Sequence, residues 1–153
     1  KTLQHCLERL TQDLADLDLP NNVTIEFPSK DDLTKFEITI KPGEESYWYG
    51  GTYIFKVMID DDFPMRPPNV VCTTKVMLSL LNMHFLSIVY EFLQIFHPNI
   101  DYQGNIDLNL IRDHWRPIFT LQMIVFGLLF LFAEPNPNDP TNIGSQYIPR
   151  LDH

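Results

Sequence analysis

Three stretches of alternating apolar residues limit what this chain can fold into more than any other feature of its sequence. In each stretch every second residue is apolar, as in Val23, Ile25 and Phe27, in Phe36, Ile38 and Ile40, and in Tyr53, Phe55, Val57 and Ile59. Successive side chains of a strand point to opposite faces, so the alternation predicts strands that bury one face. Turn residues at positions 41–43 and 50–51 predict an antiparallel meander. A fourth strand is predicted at residues 69–73, after the proline-rich bend at residues 63–68.

A helix is predicted on each side of these strands. Leucines at positions 3, 7, 10, 14 and 17 recur at steps of four and three residues, which places them on one stripe of a helix with Thr2 as its N-cap. Pro20 follows and ends this helix. Thr120 is expected to cap a second helix that runs to about Phe132 and stops before the prolines of residues 135–140. This order predicts an α+β domain in which a helix packs on the sheet.

The charge balance and the cysteine count exclude several classes of protein. Twenty acidic and eleven basic residues give a net charge of −9, which does not suit a surface that binds nucleic-acid phosphates or an anionic membrane. The five histidines and two cysteines lack metal-ligand spacing, so we expect neither a metal nor another cofactor. Cys6 and Cys72 are predicted to be buried free thiols, which suits a reducing compartment. The chain begins at Lys1 without a signal peptide, so we expect a fragment of a cytoplasmic or nuclear protein.

One segment does not fit this order. Residues 77–95 are apolar on nearly every face and carry a single formal charge, Glu91. The segment is long enough to span a membrane, but Asn82, His84, Glu91 and Gln94 would make it a poor span. We interpret it as an insertion, either a buried or partner-covered helix or a product of a sequence error. The predicted organisation is therefore a domain at residues 1–142, interrupted at 77–95, and a short tail at 143–153.

The motif that carries chemistry lies directly after this insertion. It consists of His97-Pro98-Asn99, a turn containing Gly104, the pair Asp107-Leu108 and, further on, Trp115-Arg116-Pro117. This run resembles the active-site segment of ubiquitin-conjugating enzymes, in which a Cys-Leu pair follows the turn and its Cys carries the ubiquitin thioester. Asp107 stands at the position of that Cys. Further similar pieces at residues 17–20, 31–33, 108–117 and 134–140 look closest to the branch that conjugates the Nedd ubiquitin-like protein.

The resemblance implies a fold and roles for particular residues. The fold would be the ubiquitin-conjugating one, with an N-terminal helix, a four-stranded meander, an active-site loop and a central helix. Asn99 would donate its side-chain amide to an oxyanion, His97 would hold the loop, and Asp139 would orient the incoming lysine. Asn99 and Asp139 are also ordinary turn residues, and that simpler interpretation remains open.

Further residues are implied to meet partners. The partners would be a ubiquitin-like protein of the Nedd type or ubiquitin, its activating enzyme and a RING-type ligase, with no nucleic acid and no membrane. The contact residues would be Leu3, Leu7 and Leu10 for the activating enzyme, and Phe63, Pro64, Pro67 and Pro68 for the ligase, with Trp115 as either a recognition residue or a core aromatic. The family continues into two more helices, whereas residues 141–153 show no helical period. The basic N-terminal extension of the Nedd branch is not seen either.

Asp107 changes the chemistry that this site could perform. A carboxylate, with an ordinary pKa of about 3.9 against about 8.5 for a thiol, would have to form a mixed anhydride in place of a thioester. Such a product lies uphill and hydrolyses, so it cannot serve as a useful covalent intermediate. We expect no thioester-forming activity and a binding or vestigial role in the pathway. The alternatives are an active transferase, if Asp107 is a sequence artefact, and a membrane-tethered relative that uses residues 77–95.

Overall fold

The computed structural model describes residues 2–74, 97–101 and 103–135. The elements are α1 (Thr2–Ala15), β1 (Val23–Glu26), β2 (Lys35–Ile40), β3 (Tyr53–Met58), β4 (Asn69–Cys72), a 3-10 turn (Asn109–Ile111) and α2 (Leu121–Ala133). The segment 77–95, Asp139 and the tail at 143–153 lie outside the described residues, and predictions about them stay predictions.

The four strands form one sheet in the order β1-β2-β3-β4, with every neighbouring pair antiparallel. Ile38 pairs with Phe55, and Phe55 pairs with Cys72, so these buried side chains form one row across the sheet. The predicted meander is therefore confirmed, and its alternation places the apolar residues of β2 and β3 on the same face.

Helix α2 covers that face. The ring of Phe132 lies 4.8 Å from that of Tyr53 and 6.0 Å from that of Phe55. The residues of α2 that are buried in this layer are Leu121, Ile124, Val125, Leu128, Leu131 and Phe132. This arrangement confirms the predicted α+β domain, in which a helix packs on an antiparallel sheet.

An ion pair within α1 is hydrogen-bonded to the start of α2. The carboxylate of Asp13 accepts a hydrogen bond from Arg9 Nε at 2.8 Å and another from the backbone N–H of Leu121 at 3.2 Å. Arg9 also donates to the carbonyl of Phe119 at 2.8 Å. Thr120 occupies the predicted N-cap position, but its side chain makes no capping hydrogen bond. The carboxylate of Asp13 satisfies an N-terminal N–H in its place, where negative charge is favoured.

Both thiols are buried, as predicted. Cys6 and Cys72 are free and are 0% and 6% exposed. Burial raises the pKa of each thiol above its ordinary value. Within the described ranges, no helix combines the length and the apolar character that crossing a membrane requires.

Candidate functional site

His97 anchors the loop that carries the motif to the end of α2. Its Nε2 lies 2.8 Å from the carbonyl oxygen of Leu131, and its Nδ1 accepts a hydrogen bond from the backbone N–H of Asn99 at 3.0 Å. One tautomer satisfies both contacts, with the proton on Nε2 and a lone pair on Nδ1. The bond to Leu131 also supplies a partner for one of the carbonyls that a helix leaves unpaired at its C-terminus. His97 therefore joins the loop to the helix.

The surroundings of His97 keep the ring neutral. The residue is 0% exposed, and its ring lies 4.3 Å from that of Trp48 and 5.5 Å from that of Phe132. Burial lowers the pKa of His97 to about 4, although the bond to the Leu131 carbonyl acts in the opposite direction. A second proton on Nδ1 would also face the N–H of Asn99. A neutral, immobile imidazole of this kind holds structure and is not suited to proton transfer near neutral pH.

A tight hairpin brings Asn99 and Asp107 together. The backbone N–H of Asp107 donates to the carbonyl of Asn99 at 2.8 Å, and Ile100 and Ile106 face each other between them. At the tip, Asp101 Oδ1 accepts the backbone N–H of Asn105 at 2.8 Å. The sequence places positions 99 and 107 several residues apart, and the hairpin makes them backbone neighbours.

Gly104 allows this hairpin to dock on β4. Its φ is 87°, which L side chains rarely adopt, and its carbonyl accepts the backbone N–H of Cys72 at 2.9 Å. A Cβ at position 104 would collide with the carbonyl of Cys72. Position 104 therefore requires glycine, because the hairpin and the outer edge of β4 lie too close together to leave room for a side chain.

Asp107 projects from the end of the hairpin beside a groove of about 430 Å³. Its Oδ1 forms an ion pair with Arg112 Nη1 at 2.8 Å, and the two side chains are 20% and 52% exposed, respectively. Asp101, Pro68 and Val70 also line the groove. Position 107 is thus accessible, charged and paired with a cation. The sequence analysis did not identify Arg112, because a spacing of five residues across a 3-10 turn matches no helical or strand periodicity.

Three of the four residues proposed to take part in chemistry are therefore found in one segment. His97, Asn99 and Asp107 are held in fixed backbone positions, and Asn99 is 2% exposed. Asp139 lies outside the described residues. In the described part of the chain no cluster of three or more His, Cys, Asp or Glu side chains could hold a metal ion.

The structure corrects part of the predicted partner surface on α1. Leu10 is 0% exposed and belongs to the core, so its side chain cannot contact an activating enzyme in this conformation. Leu7 is 37% exposed and remains available for contact. The side chain of Leu3 lies outside the part of the chain that is described. The predicted leucine stripe thus faces the core at Leu10 and solvent at Leu7.

The predicted ligase loop is also more buried than expected. Phe63 is 3% exposed, and its ring lies 6.1 Å from that of Trp115, whose Nε1 donates to the carbonyl of Pro64 at 2.8 Å. Pro64 and Pro68 are buried as well, whereas Pro67 is half-buried. Phe63 and Pro64 therefore expose little surface to a partner in this conformation, whereas Pro68 also lines the groove beside Asp107, and their contact with a ligase stays a prediction. Trp115 packs beneath the loop, which favours its interpretation as a core aromatic.

Comparisons with known proteins agree with this architecture. Residues 9–148 match the family model described as ubiquitin-conjugating enzyme. The NEDD8-conjugating enzyme Ubc12 of Arabidopsis thaliana is 38% identical over 135 residues, which cover 88% of this chain and 62% of that protein. The NEDD8-conjugating enzyme UBC12 of Saccharomyces cerevisiae is 40% identical over 140 residues, which cover 88% and 64%.

A solved structure extends the agreement from sequence to fold. The structure of S. cerevisiae Ubc12 superposes with a TM-score of 0.72 at 39% identity and covers 90% of this chain and 65% of that one. The chain spans less than two thirds of the length of these relatives. Because the family model, the curated relatives and the superposed fold all agree with the motif at residues 97–117, this chain belongs to the ubiquitin-conjugating enzyme family.

Proposed function

We propose that this chain is a non-catalytic member of its family that binds components of a NEDD8-type conjugation pathway. The single observation that carries the proposal is the carboxylate of Asp107 on the accessible groove, paired with Arg112 at 2.8 Å. A paired carboxylate offers charge without the capacity to form a lasting acyl intermediate. We propose the NEDD8 pathway because the similar proteins are named NEDD8-conjugating enzymes.

Neither cysteine of the described chain is placed to act as a substitute nucleophile. Cys6 lies in α1 and donates from its Sγ to the carbonyl of Asp60 at 3.4 Å, while Cys72 lies on the buried face of β4. Burial raises the pKa of both thiols, which lowers the fraction of the reactive thiolate at neutral pH. An exposed thiol with a lowered pKa would have supported transfer activity, and these two thiols have the opposite properties.

The rest of the site supports binding. His97 and Gly104 fix the hairpin, and Asn99 stands where the family resemblance places an oxyanion donor. Leu7 on α1 and Met65 in the loop after β3 are exposed apolar side chains, at 37% and 69%, on the surfaces proposed for an activating enzyme and a RING-type ligase. A rigid frame with exposed apolar positions suits partner recognition without requiring a reactive atom.

The first experiment restores a thiol at the site. The chain and its Asp107→Cys form would each be incubated with the NEDD8 activating enzyme, ATP and NEDD8, and adducts would be resolved on a non-reducing gel. Asp113→Cys is the matched control, because it places an exposed thiol in the same segment away from the hairpin end. We expect a reducible adduct with Asp107→Cys alone. A reducible adduct with the unaltered chain would refute the non-catalytic proposal and favour an active transferase.

A second measurement tests binding separately. Calorimetry of the unaltered chain with the activating enzyme, NEDD8 and a RING-type ligase should give a measurable affinity for at least one of them. Leu7→Asp should weaken binding to the activating enzyme, because it replaces the exposed apolar side chain at this position of α1 with a charge. An absence of affinity for all three would refute the binding proposal whatever the gel shows.

A further inference from the structure

Arg112 lies within the similar stretch at residues 108–117, but the resemblance assigned it no role. We propose that Arg112 is the counter-ion of position 107, and that its guanidinium stabilises negative charge on whichever side chain stands there. The inference deepens the proposed function, because it assigns a charge-stabilising residue to the same site. It rests on the 2.8 Å ion pair and on the backbone that creates it.

Backbone contacts on both sides of the pair set its geometry. The N–H of Asp107 is bonded to the carbonyl of Asn99 at 2.8 Å, which fixes the start of the segment. The 3-10 turn then folds the chain back, with the N–H of Ile111 bonded to the carbonyl of Leu108 at 3.0 Å. Ile111 is buried and holds the turn against the core. The guanidinium therefore returns to position 107 because of the turn, and a different side chain at 107 would meet the same cation.

Among the described residues that line the groove, no side chain supplies a second cation near position 107. Asp101, on the hairpin, is the other ionisable side chain that lines the groove, and it is negative. The β4 side of the groove contributes Pro68, Asn69 and Val70, which carry no charge. His97 is buried behind the hairpin, and burial holds its pKa at about 4, so it is neutral near neutral pH. Arg112 therefore opposes the negative field of Asp101 at this position.

The chemical consequence appears when a thiol occupies position 107. In aminolysis of a thioester, the lysine nitrogen forms a bond to the carbonyl carbon, the carbon–sulfur bond breaks, and the electron pair leaves on sulfur as a thiolate. The amine gives up its proton to solvent or to a nearby base. A guanidinium at contact distance stabilises this departing thiolate. It also stabilises the thiolate at position 107 when that thiolate attacks another thioester to take up the acyl group. In the unaltered chain the same cation neutralises Asp107.

The test measures the ionisation of the thiol in the Asp107→Cys form directly. The rate of alkylation by iodoacetamide, a neutral reagent, would be followed against pH by mass spectrometry of the peptide that contains position 107. Cys6 and Cys72 fall in other peptides and do not interfere. The second substitution is Arg112→Gln, with Arg112→Lys as the conservative variant. Arg116→Gln is the matched control, since Arg116 is exposed and forms no ion pair within the described chain.

We expect Arg112→Gln to move the alkylation profile to higher pH by roughly half a unit, which is about threefold in rate below the midpoint, as suits a partly exposed pair. Arg112→Lys should retain most of the effect, and the shift should shrink in high salt. An unchanged profile with Arg112→Gln would overturn the proposal, as would an equal shift with Arg116→Gln. Alkylation needs no activating enzyme, so this result is independent of the two outcomes that would refute the proposed function, a reducible adduct with the unaltered chain and an absence of affinity for all three partners.

Discussion

Acidification should destabilise this fold through one buried residue, His97. The unfolded chain carries an ordinary histidine with a pKa near 6.5, whereas burial lowers the pKa of His97 in the fold to about 4. The folded state therefore binds fewer protons between these two values, and the free energy of unfolding falls as the pH is lowered through that window. Above about pH 6.5 both states are neutral at this ring, and the stabilisation is complete.

The size of the effect follows from the two pKa values. A difference of about 2.5 units corresponds to about 3 kcal/mol when the window has been crossed fully, at about 1.4 kcal/mol for each unit. Between about pH 7.5 and about pH 5.0 the expected loss is about 2 kcal/mol. The partly exposed carboxylate of Asp32 has its pKa lowered to about 2, mainly by the side-chain hydrogen bond from Thr34, so its contribution is lost only at more acidic pH. The two residues therefore act in different pH ranges.

Urea unfolding at a series of pH values, followed by the fluorescence of Trp48 and Trp115, would measure this loss. The control is His97→Gln, which removes the titrating ring and should flatten the pH dependence between about pH 6.5 and about pH 5, at a cost of about 2 to 3 kcal/mol in stability near neutral pH. His97 packs against Trp48 and bonds to Leu131, so that cost is expected. An equal pH dependence in the variant and the unaltered chain would refute the assignment of the effect to His97.

Two further predictions concern the contacts that position the site, and both use urea midpoints. Gly104→Ala should cost more than about 2 kcal/mol, because its φ is 87° and a Cβ would strike a carbonyl of β4, whereas Gly43→Ala meets no atom within 4 Å and should change stability by less than about 0.5 kcal/mol. Asp13→Asn should cost about 2 kcal/mol by breaking the pair with Arg9, against less than about 0.5 kcal/mol for the exposed Asp16→Asn. Equal midpoints within either pair of variants would contradict the corresponding argument.

Local patterns in the sequence predicted the elements well. The alternation at residues 36–40 and 53–59 gave strands that differ from β2 and β3 by one residue at most at either end. The leucine stripe predicted a helix that ended two residues beyond the observed end of α1 at Ala15. These successes share a cause, because the periodicity of a strand or helix is a property of neighbouring residues and is visible along the chain.

Contacts between distant residues could not be predicted in this way. Asp13 caps α2 from more than a hundred positions away, and no local pattern distinguishes it from the exposed Asp16 on the same helix. Leu10 and Leu7 belong to one predicted stripe, yet one is 0% and the other 37% exposed, because burial depends on where α1 meets the rest of the domain. The partnership of Arg112 with Asp107 likewise depends on a 3-10 turn that has no periodic signature.

The contacts that hold the site together do not depend on the side chain at position 107. His97 bonds to Leu131 and packs on Trp48 in a fully buried setting, and Gly104 joins the hairpin to β4 through backbone atoms. The side chain of Asp107, by contrast, is anchored by a partly exposed ion pair worth about 1 kcal/mol at most. A substitution at 107 therefore alters the chemistry of the site while leaving its frame intact. Similarity to the ubiquitin-conjugating family, which depends on the frame, accordingly identifies the fold more directly than it identifies activity.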